Sequence, residues 1–354
     1  MSVIFFWERA GGLTLSHRCN PYGPLLAQAL EKLDIHLELG DYAFKKEDLK
    51  SKRNDFDALH INWLHHFYRA DDFETAVKRL NEFAENLYYA QSLGYRIIWT
   101  MHNLYPHERP FPELDHLAQL IMCRVADEVI AHCNYAADLA REYFYRTDHM
   151  HVVPHGNYID AYPNLISRQD ARRELDIPES AFVYLFVGNA RPYKGIERLI
   201  QAFQNVADED CILLLMMRKG LNPEYGETIE RLAEGDDKIR VFTSPFFATE
   251  EFQFYMNASD VAVLPFVDVL TSGSAILALS FGKPILLPQI GCLPELVDET
   301  MGHLFNPKDK TGLETALREI RERDLQAASH SALQRAKDLH WDGIAEKIAP
   351  LYKK

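Results

Sequence analysis

Short apolar runs alternate with amphipathic segments along almost the whole chain, and this alternation constrains the fold more than any other feature. In the amphipathic segments apolar residues recur at helical spacing, as in the face formed by Phe73, Val77, Leu80 and Phe83. Strands that are joined through helices predict a parallel sheet covered by helices on both faces. In the first half, the predicted strands are residues 3–7, 35–39, 58–63, 96–101, 128–132 and 151–154.

A second series of predicted strands begins after a break near residues 160–180. A chain of 354 residues is too long for one ordinary core, so the two series predict two domains. We expect an α/β fold in which two Rossmann-like, doubly wound domains, residues 1–165 and 166–335, face each other across a cleft. The last helix, within residues 336–354, has no following strand and is expected to pack back towards the first domain. The second series of strands is predicted at residues 182–187, 211–217, 239–242, 261–265 and 284–288.

The charge balance argues against a nucleic-acid binder. With 38 basic and 52 acidic residues the net charge is −14, so the chain lacks the basic surface that nucleic-acid binding requires. The first apolar run reaches Glu8 without a basic leader, and no apolar run of about 18 residues occurs, so neither a signal peptide nor a membrane span is predicted. We expect a cytoplasmic protein whose first-domain aromatic residues could contact the inner membrane face peripherally.

The loop after the predicted strand at 182–187 carries two cations, Arg191 and Lys194, just before a helix. The start of a helix disfavours cations, by about 0.3–1 kcal/mol each, but favours an anion. Both side chains and free backbone N–H groups would then point at that anion, which predicts a phosphate site. The alternative is a solvated loop with ordinary surface charges.

A second loop with helix-capping residues follows the predicted strand at 261–265. Thr271, Ser272 and Ser274 are favourable N-cap residues, and Gly273 allows another group to approach the backbone closely. This loop predicts a second helix start that offers amides and hydroxyls to a phosphate. The alternative is a plain capped helix.

Histidines are concentrated at the predicted strand ends of the first half, where 12 of the 15 occur within 155 residues. His102, His132 and His155 lie at the carboxyl ends of three predicted strands, so a parallel sheet would place them at one edge. A single histidine is more often structural than catalytic. The sequence contains no H-E-x-x-H and no closely spaced set of Cys, His and carboxylate ligands, so no metal site is predicted.

Three regions resemble a known family. Residues 188–195, GNARPYKG, resemble the G-x-x-R-P-x-K-G loop of group-one glycosyltransferases of the GT-B fold. Residues 281–297, which contain FGKPI and GCLPELV, resemble the G-K-P-V and G-G-x-P-E-x-V motifs of the same family, and GHLF at 302–305 extends the match. In the first half, TMHN at 100–103, YPHE at 105–108 and PHGNY at 154–158 are similar to segments of bacterial exopolysaccharide-type members.

The resemblance implies a nucleoside-diphosphate sugar held mainly by the second domain, an acceptor bound by the first domain, and catalysis without a metal or other cofactor. By position, Arg191 and Lys194 would grip the donor diphosphate, and His102 would approach the donor sugar near its anomeric carbon. We assign these three to catalysis. The remaining donor-binding candidates are Gly12, Asn189, Thr271, Ser272, Gly273 and Ser274. The acceptor-binding candidates are Asn20, Tyr22, Asn103, His107 and His155.

One departure from the family concerns its E-x7-E element, whose two glutamates hold the donor sugar and the ribose. The corresponding positions here are Val269 and Leu277, so both carboxylates are absent. Asp268 is adjacent to the first position and could substitute for it.

The sequence therefore predicts a metal-independent glycosyltransferase that moves a sugar from a nucleoside-diphosphate donor to a glycan or lipid-linked acceptor, in surface polysaccharide synthesis. If the reaction inverts configuration, a base is required, and His102, His107 and Glu108 are candidates. Two alternatives remain open. One is a non-catalytic GT-B protein that binds a glycan or a partner, and the other is a GT-B sugar epimerase or phosphorylase.

Overall fold

A computed structural model describes residues 1–7, 12–16, 20–219 and 222–353. These residues divide into two compact units, each built around its own sheet. The first unit contains the described residues of 1–15, 20–155 and 341–353, and the second contains Ser16 and those of 156–340.

The described residues form two six-stranded sheets in which all the strand pairs are parallel. The first sheet has the strands β1 (Ser2–Phe6), β2 (His36–Leu39), β3 (Ala58–Ile61), β4 (Arg96–Met101), β5 (Glu128–Ala131) and β6 (Met150–Val152). The second has the strands β7 (Phe182–Asn189), β8 (Cys211–Arg218), β9 (Ile239–Ser244), β10 (Val261–Val263), β11 (Ile285–Pro288) and β12 (Gly302–Phe305).

Helices connect the strands, as the apolar periodicity predicts. The first helices are α1 (Tyr22–Glu31), α2 (Lys46–Lys52), α3 (His65–Tyr68), α4 (Phe73–Ser92), α5 (Pro112–Val125), α6 (Asn134–Phe144), α7 (Arg168–Glu174) and α8 (Ile196–Val206). They are followed by α9 (Pro223–Ala233), α10 (Phe252–Ala258), α11 (Gly273–Ser280), α12 (Leu293–Leu296), α13 (Gly312–Glu319), α14 (Leu325–Asp338) and α15 (Trp341–Ile348). Short 3-10 turns cover Ile159–Ala161, Pro192–Lys194, Thr249–Glu251, Ile320–Glu322 and Ala349–Tyr352.

The first sheet has the strand order β2-β1-β3-β4-β5-β6, with its core strands almost fully buried. The C-terminal segment belongs to this unit, because α15 packs on α1 and the following turn reaches β4. Arg96 Nε donates to the Leu351 carbonyl oxygen at 2.5 Å, and the Tyr352 hydroxyl lies 2.6 Å from His60 Nδ1. Each end of the chain thus contributes to the same core.

The second sheet has the strand order β12-β11-β10-β7-β8-β9. The chain builds β7, β8 and β9 in one direction and then returns to place β10 on the other side of β7, so the order reverses between β7 and β10. In open parallel sheets such a reversal opens a ligand-binding crevice at the carboxyl ends of the two strands.

The structure confirms the predicted two parallel sheets and corrects several boundaries. β3 ends at Ile61, two positions before its predicted end, and β12 is a strand that the sequence reading missed. The division between the units falls at His155/Gly156 and His340/Trp341, rather than at the predicted residues 165 and 335. Asn157 accounts for this, because its Nδ2 and its backbone N–H donate to carbonyl oxygens of the α14 region.

Candidate functional site

The second unit brings the two predicted phosphate loops together at the carboxyl edge of its sheet. β7 and β10 are paired neighbours at the point where the strand order reverses. Asn189 is the last residue of β7 and pairs with Arg218 of β8, and Arg191 and Lys194 follow it in the chain. The segment 271–274 follows β10 and leads into α11.

Backbone contacts hold the loop after β7 against the loop after β10. The Val267 N–H donates to the Tyr193 carbonyl oxygen at 2.8 Å. Gly195 has a φ of 71°, and a Cβ placed on it would lie 2.3 Å from the Pro265 carbonyl oxygen. Only glycine combines this left-handed backbone with so close an approach. The contact fixes where α8 begins and therefore where Lys194 lies.

Lys194 is a buried lysine for which the described part of the chain supplies no acidic partner. The residue is 8% exposed, and within the described ranges no carboxylate forms an ion pair with it. Its Nζ lies over the rings of Phe266 and Tyr193, 4.6 and 5.3 Å from their centroids. Burial, and to a smaller extent nearby Arg191, lowers the pKa of Lys194 to about 7. A charged Lys194 is therefore costly here until an anion neutralises it.

The ammonium of Lys194 and the hydroxyl of Ser274 face the same small space beside Gly188. A Cβ on Gly188 would lie 3.3 Å from Ser274 Oγ and 3.8 Å from Lys194 Nζ. Arg191 is half-buried and close enough to lower the pKa of Lys194. Arg191 also hydrogen-bonds Tyr193 and opposes the burial that raises the pKa of that phenol. Two cations from one loop and a hydroxyl from the other thus converge.

The start of α11 adds unpaired backbone donors to these groups. Ser272 caps the helix, with its Oγ accepting from the Ala275 N–H at 3.2 Å. The Gly273 and Ser274 amides donate no hydrogen bond to any residue that the structure describes. Gly273 is exposed, and Thr271 and Ser274 are half-buried. Backbone N–H groups at a helix start, together with the buried Lys194, have the charge and geometry that favour an anion.

The first unit gathers three of the predicted histidines. His102, His132 and His155 surround the ring of Tyr22, whose centroid lies 4.9, 5.6 and 5.0 Å from theirs. Trp63 tilts onto His102 from another side at 5.2 Å. His102 and His132 are each 7% exposed, whereas His155 is half-buried. These aromatic side chains form a compact cluster at the carboxyl edge of the first sheet.

Both ring nitrogens of His102 are hydrogen-bonded within this cluster. Nε2 lies 2.8 Å from Asn62 Oδ1, and Nδ1 lies 3.2 Å from His132 Nε2. Burial lowers the pKa of His102 well below its usual range, with His132, His155 and His60 adding smaller effects in the same direction. In this conformation, both ring nitrogens of His102 are therefore engaged, one with Asn62 and the other with His132.

Two residues assigned to the acceptor, Asn20 and Tyr22, lie at the start of α1. Tyr22 is 1% exposed and also packs on Trp341 at 5.0 Å, and burial raises the pKa of its phenol. The helix begins at Tyr22, whose N–H donates to Asn20 Oδ1 at 3.2 Å. Tyr22 thus belongs to the packed interior of the unit.

The remaining first-unit candidates lie nearer the surface. Asn103 is half-buried and His107 is exposed, and Asn103 Nδ2 lies 3.1 Å from His107 Nε2. Gly12 has a φ of 60°, and a Cβ placed on it would lie 3.2 Å from Leu39 Cδ1 at the end of β2. Its neighbour Gly11, which the sequence pairs with it, lies outside the described residues.

Sequence reasoning missed several residues that shape these two sites. Phe266 and Tyr193 flank Lys194, and the Tyr158 hydroxyl lies 3.3 Å from the position of a Cβ on Gly273. Asn62 fixes His102 but was placed inside the predicted strand 58–63. An earlier end to that strand, signalled by the polar Asn62 directly after Ile61, would have identified it as a residue at the strand end.

The described residues show neither a metal-binding cluster nor a membrane-spanning helix. No group of three or more His, Cys, Asp or Glu side chains is arranged to hold a metal ion within the described ranges. None of the helices formed by those residues has the length and apolarity needed to cross a membrane.

Residues 181–323 match the family model described as "Glycosyl transferases group 1". The chain is 25% identical to a D-inositol 3-phosphate glycosyltransferase of Streptomyces avermitilis over 74% of its own length and 61% of that relative. It is also 25% identical to a GDP-mannose:glycolipid 4-beta-D-mannosyltransferase of Xanthomonas campestris pv. campestris, over 81% of this chain and 74% of that one. The chain thus spans less than two thirds of the first of these relatives. The expected group-one resemblance is confirmed for the second unit.

Two solved structures share the fold along nearly the whole chain. Sucrose-phosphate synthase from Thermosynechococcus elongatus superimposes with a TM-score of 0.75 at 18% identity, covering 100% of this chain and 98% of that one. HepE of Anabaena, solved in complex with UDP-glucose, superimposes with a TM-score of 0.71 at 17% identity, covering 99% and 98%. The predicted GT-B fold is therefore confirmed.

Proposed function

We propose that this chain, whose residues 181–323 match the group-one glycosyl transferases, moves a sugar from a nucleoside-diphosphate donor onto a glycan or lipid-linked acceptor. The proposal assigns the donor diphosphate to the second unit and requires no resident metal. It places the reaction in surface polysaccharide synthesis and in the cytoplasm, both of which stay predictions from the sequence.

The observation that carries this proposal is the buried Lys194 beside the start of α11. Breaking the bond between a sugar and a nucleoside diphosphate leaves a multiply charged pyrophosphate. Fixed donors must stabilise that developing charge, and a buried ammonium that is held in place does so without reorganising. Lys194, Arg191 and the Gly273 and Ser274 amides supply such donors. Because the buried positive charge of Lys194 is costly without an anion, this pocket is suited to a negatively charged diphosphate.

The acceptor class is supported by the names of the relatives. One similar protein is named for a glycolipid acceptor and another for an inositol phosphate acceptor. A lipid-linked acceptor would bring the protein to the membrane face, and sedimentation with liposomes that contain an extract of polyprenyl-linked glycans tests that contact.

A non-catalytic role as a glycan- or partner-binding protein is favoured by one observation. Val269 and Leu277, which stand where the family resemblance places two glutamates, are 8% and 5% exposed. Buried apolar side chains supply no polar contact to a ribose or a sugar. A protein of this kind would release no nucleotide from any nucleotide-sugar, whereas a transferase releases it only when an acceptor is present.

A thermal-shift screen against UDP, GDP, ADP and their sugars tests the proposal directly. We expect one nucleotide to raise the melting temperature, with and without EDTA, because a ligand that binds only the folded state stabilises it. Lys194→Met should reduce the shift strongly. Lys238→Met serves as the matched control, because Lys238 precedes β9 at the opposite edge of the sheet. The absence of any shift with all the compounds would contradict donor binding.

The affinity for a nucleoside diphosphate is expected to fall above pH 7. The charged form of Lys194 binds the anion, and with a pKa of about 7 this form is lost from the free protein as the pH rises. Binding therefore takes up a proton, and Kd should rise by up to about tenfold per pH unit above that value. Calorimetric titration between about pH 6 and about pH 9 measures this slope, which should be absent in Lys194→Met.

A further inference from the structure

Three side chains form a continuous chain of contacts at the carboxyl edge of the first sheet. Asn62 Nδ2 donates to the Phe6 carbonyl oxygen at 3.0 Å, and Asn62 Oδ1 lies 2.8 Å from His102 Nε2. His102 Nδ1 lies 3.2 Å from His132 Nε2, and His132 Nδ1 lies 2.9 Å from the Val153 carbonyl oxygen. Asn62 is 2% exposed and each histidine 7%, so these side chains lie almost entirely away from solvent.

Both ends of this chain are hydrogen-bond acceptors. The Val153 carbonyl can only accept, and Asn62 presents its oxygen to His102 because its amide nitrogen donates to Phe6. The three contacts made by the two rings therefore need three N–H groups. Two neutral imidazoles supply only two. Two neutral rings therefore lack one proton, the one between His102 Nδ1 and His132 Nε2. Adding that proton turns all three contacts into hydrogen bonds.

We propose that His102 and His132 form a single proton-acceptor site, in which one additional proton is shared between His102 Nδ1 and His132 Nε2. His132 is the positioning residue, since its Nε2 provides the second half of the site. The shared proton is a property of the first unit alone and can be measured without substrate. Only its consequence for catalysis rests on the proposed function.

No charged residue among the described neighbours explains the pair in another way. Tyr22 packs against both imidazoles, and Trp63 covers His102. Among the described residues, the other histidines that act on His102 are His60 and His155, and their positive charges would lower its pKa. No carboxylate of the described residues contributes to the pKa shift of either ring of the pair.

Two opposing effects set the pH at which the site fills. Burial lowers the pKa of His132 to about 4, although its hydrogen bond to Val153 opposes this. Two ring nitrogens that face each other at 3.2 Å act in the other direction, because a proton between them replaces the repulsion of two lone pairs with a hydrogen bond. The site is therefore expected to be vacant near neutral pH and to fill on acidification.

The effect of removing His132 separates a shared proton from two independent ionisations. If the rings ionise independently, His132→Phe removes a like charge and raises the titration midpoint of His102. If they share a proton, the same variant removes the partner of the Nδ1–H and lowers that midpoint, by about one pH unit. The two models predict shifts of opposite sign.

Nitrogen NMR of the histidine rings, followed from about pH 8 to about pH 4, makes this measurement. We expect both rings of the wild type to change together with a common midpoint and an uptake of one proton. His155→Phe is the matched control, because it removes a neighbouring histidine whose positive charge lowers the pKa of His102, and it should therefore raise the midpoint. Separate midpoints, a raised midpoint in His132→Phe, or no uptake above pH 4 would each overturn the proposal.

Two further measurements cover folding and catalysis. If His132→Phe does not fold, His132→Gln keeps an amide oxygen that can accept from His102 Nδ1 and should leave the midpoint closer to that of the wild type. For transfer activity, the acidic limb of the kcat/KM profile should follow the NMR midpoint and move with it in the variant. If the NMR midpoint moves in the variant but the acidic limb of the kcat/KM profile does not, the positioning role of His132 is refuted. That result would not bear on the proposed donor site in the second unit.

Discussion

Lys194→Met is expected to lower the kcat of sugar transfer by about 10²–10³, the effect of removing one fixed donor to a developing negative charge. Methionine keeps the length and the apolar stem of the side chain, so its contacts with the rings of Phe266 and Tyr193 are largely retained. What disappears is the ammonium that faces Ser274 beside Gly188. Initial rates of nucleotide release in the presence of acceptor measure the loss.

The stability of this variant should move in the opposite direction. The pKa of Lys194 falls from 10.5 to about 7 on folding, so the unfolded chain binds the extra proton between these values. The cost of the buried charge is therefore fully present below pH 7 and is relieved as the pH rises. Lys194→Met removes this cost, so its melting temperature near pH 7 should equal or exceed that of the wild type.

Activity that falls while stability holds or rises distinguishes a binding role from a structural one. Lys238→Met removes the same charge from a half-buried lysine outside the site and should leave turnover within about twofold of the wild type. Unchanged turnover in Lys194→Met would remove the role that we assign to it. A parallel loss of activity and melting temperature would show that the residue supports the fold instead.

Gly195→Ala is expected to destabilise the second unit by about 3 kcal/mol or more. The added Cβ would lie 2.3 Å from the Pro265 carbonyl oxygen, which is backbone and cannot rotate away. Any non-glycine residue is also strained at a φ of 71°. Relief of the clash would separate the Lys194 loop from the loop after β10, so donor binding should be lost as well. Far-UV circular dichroism during urea unfolding measures the loss of stability.

Gly343→Ala provides the matched control for that measurement. Gly343 lies exposed on α15, and a Cβ there would meet no heavy atom within 4 Å. Alanine should therefore be neutral or slightly stabilising, by about 0.5–1 kcal/mol. Similar unfolding midpoints for the two variants would contradict the assigned contact between Gly195 and Pro265.

The sequence predicted the fold well because a buried parallel strand imposes a pattern that is local. Strands covered on both faces are continuously apolar, and the helices between them show a face of different period. The edge strand β12 was missed because Gly302, His303, Leu304 and Phe305 form too short and too mixed a run to show that pattern. The sequence predicted strand ends less accurately, because the residue at which backbone pairing stops depends on the neighbouring strand.

The sequence also indicated the two loops that meet beside Lys194 in the second unit. Chain order and apolar runs show which loops follow strands, and capping chemistry shows where helices begin. Neither reveals that β7 and β10 are neighbours, because a strand order is set by how the helices pack on both faces of the sheet. The same holds for the histidines of the first unit. The sequence predicted that they lie at strand ends, but it did not predict the contact between His102 and His132.

What the sequence by itself determined was the two-sheet α/β architecture and the identity of the residues at its carboxyl edges, because both follow from periodicity along the chain. Only the tertiary structure decided which of those residues are buried away from water and which side chains they contact. Lys194 reads as a surface cation in the sequence, yet it is 8% exposed with a pKa near 7, and Tyr22 reads as a helix-start residue yet is 1% exposed. Burial is a property of surroundings that come from distant parts of the chain, so no local pattern records it.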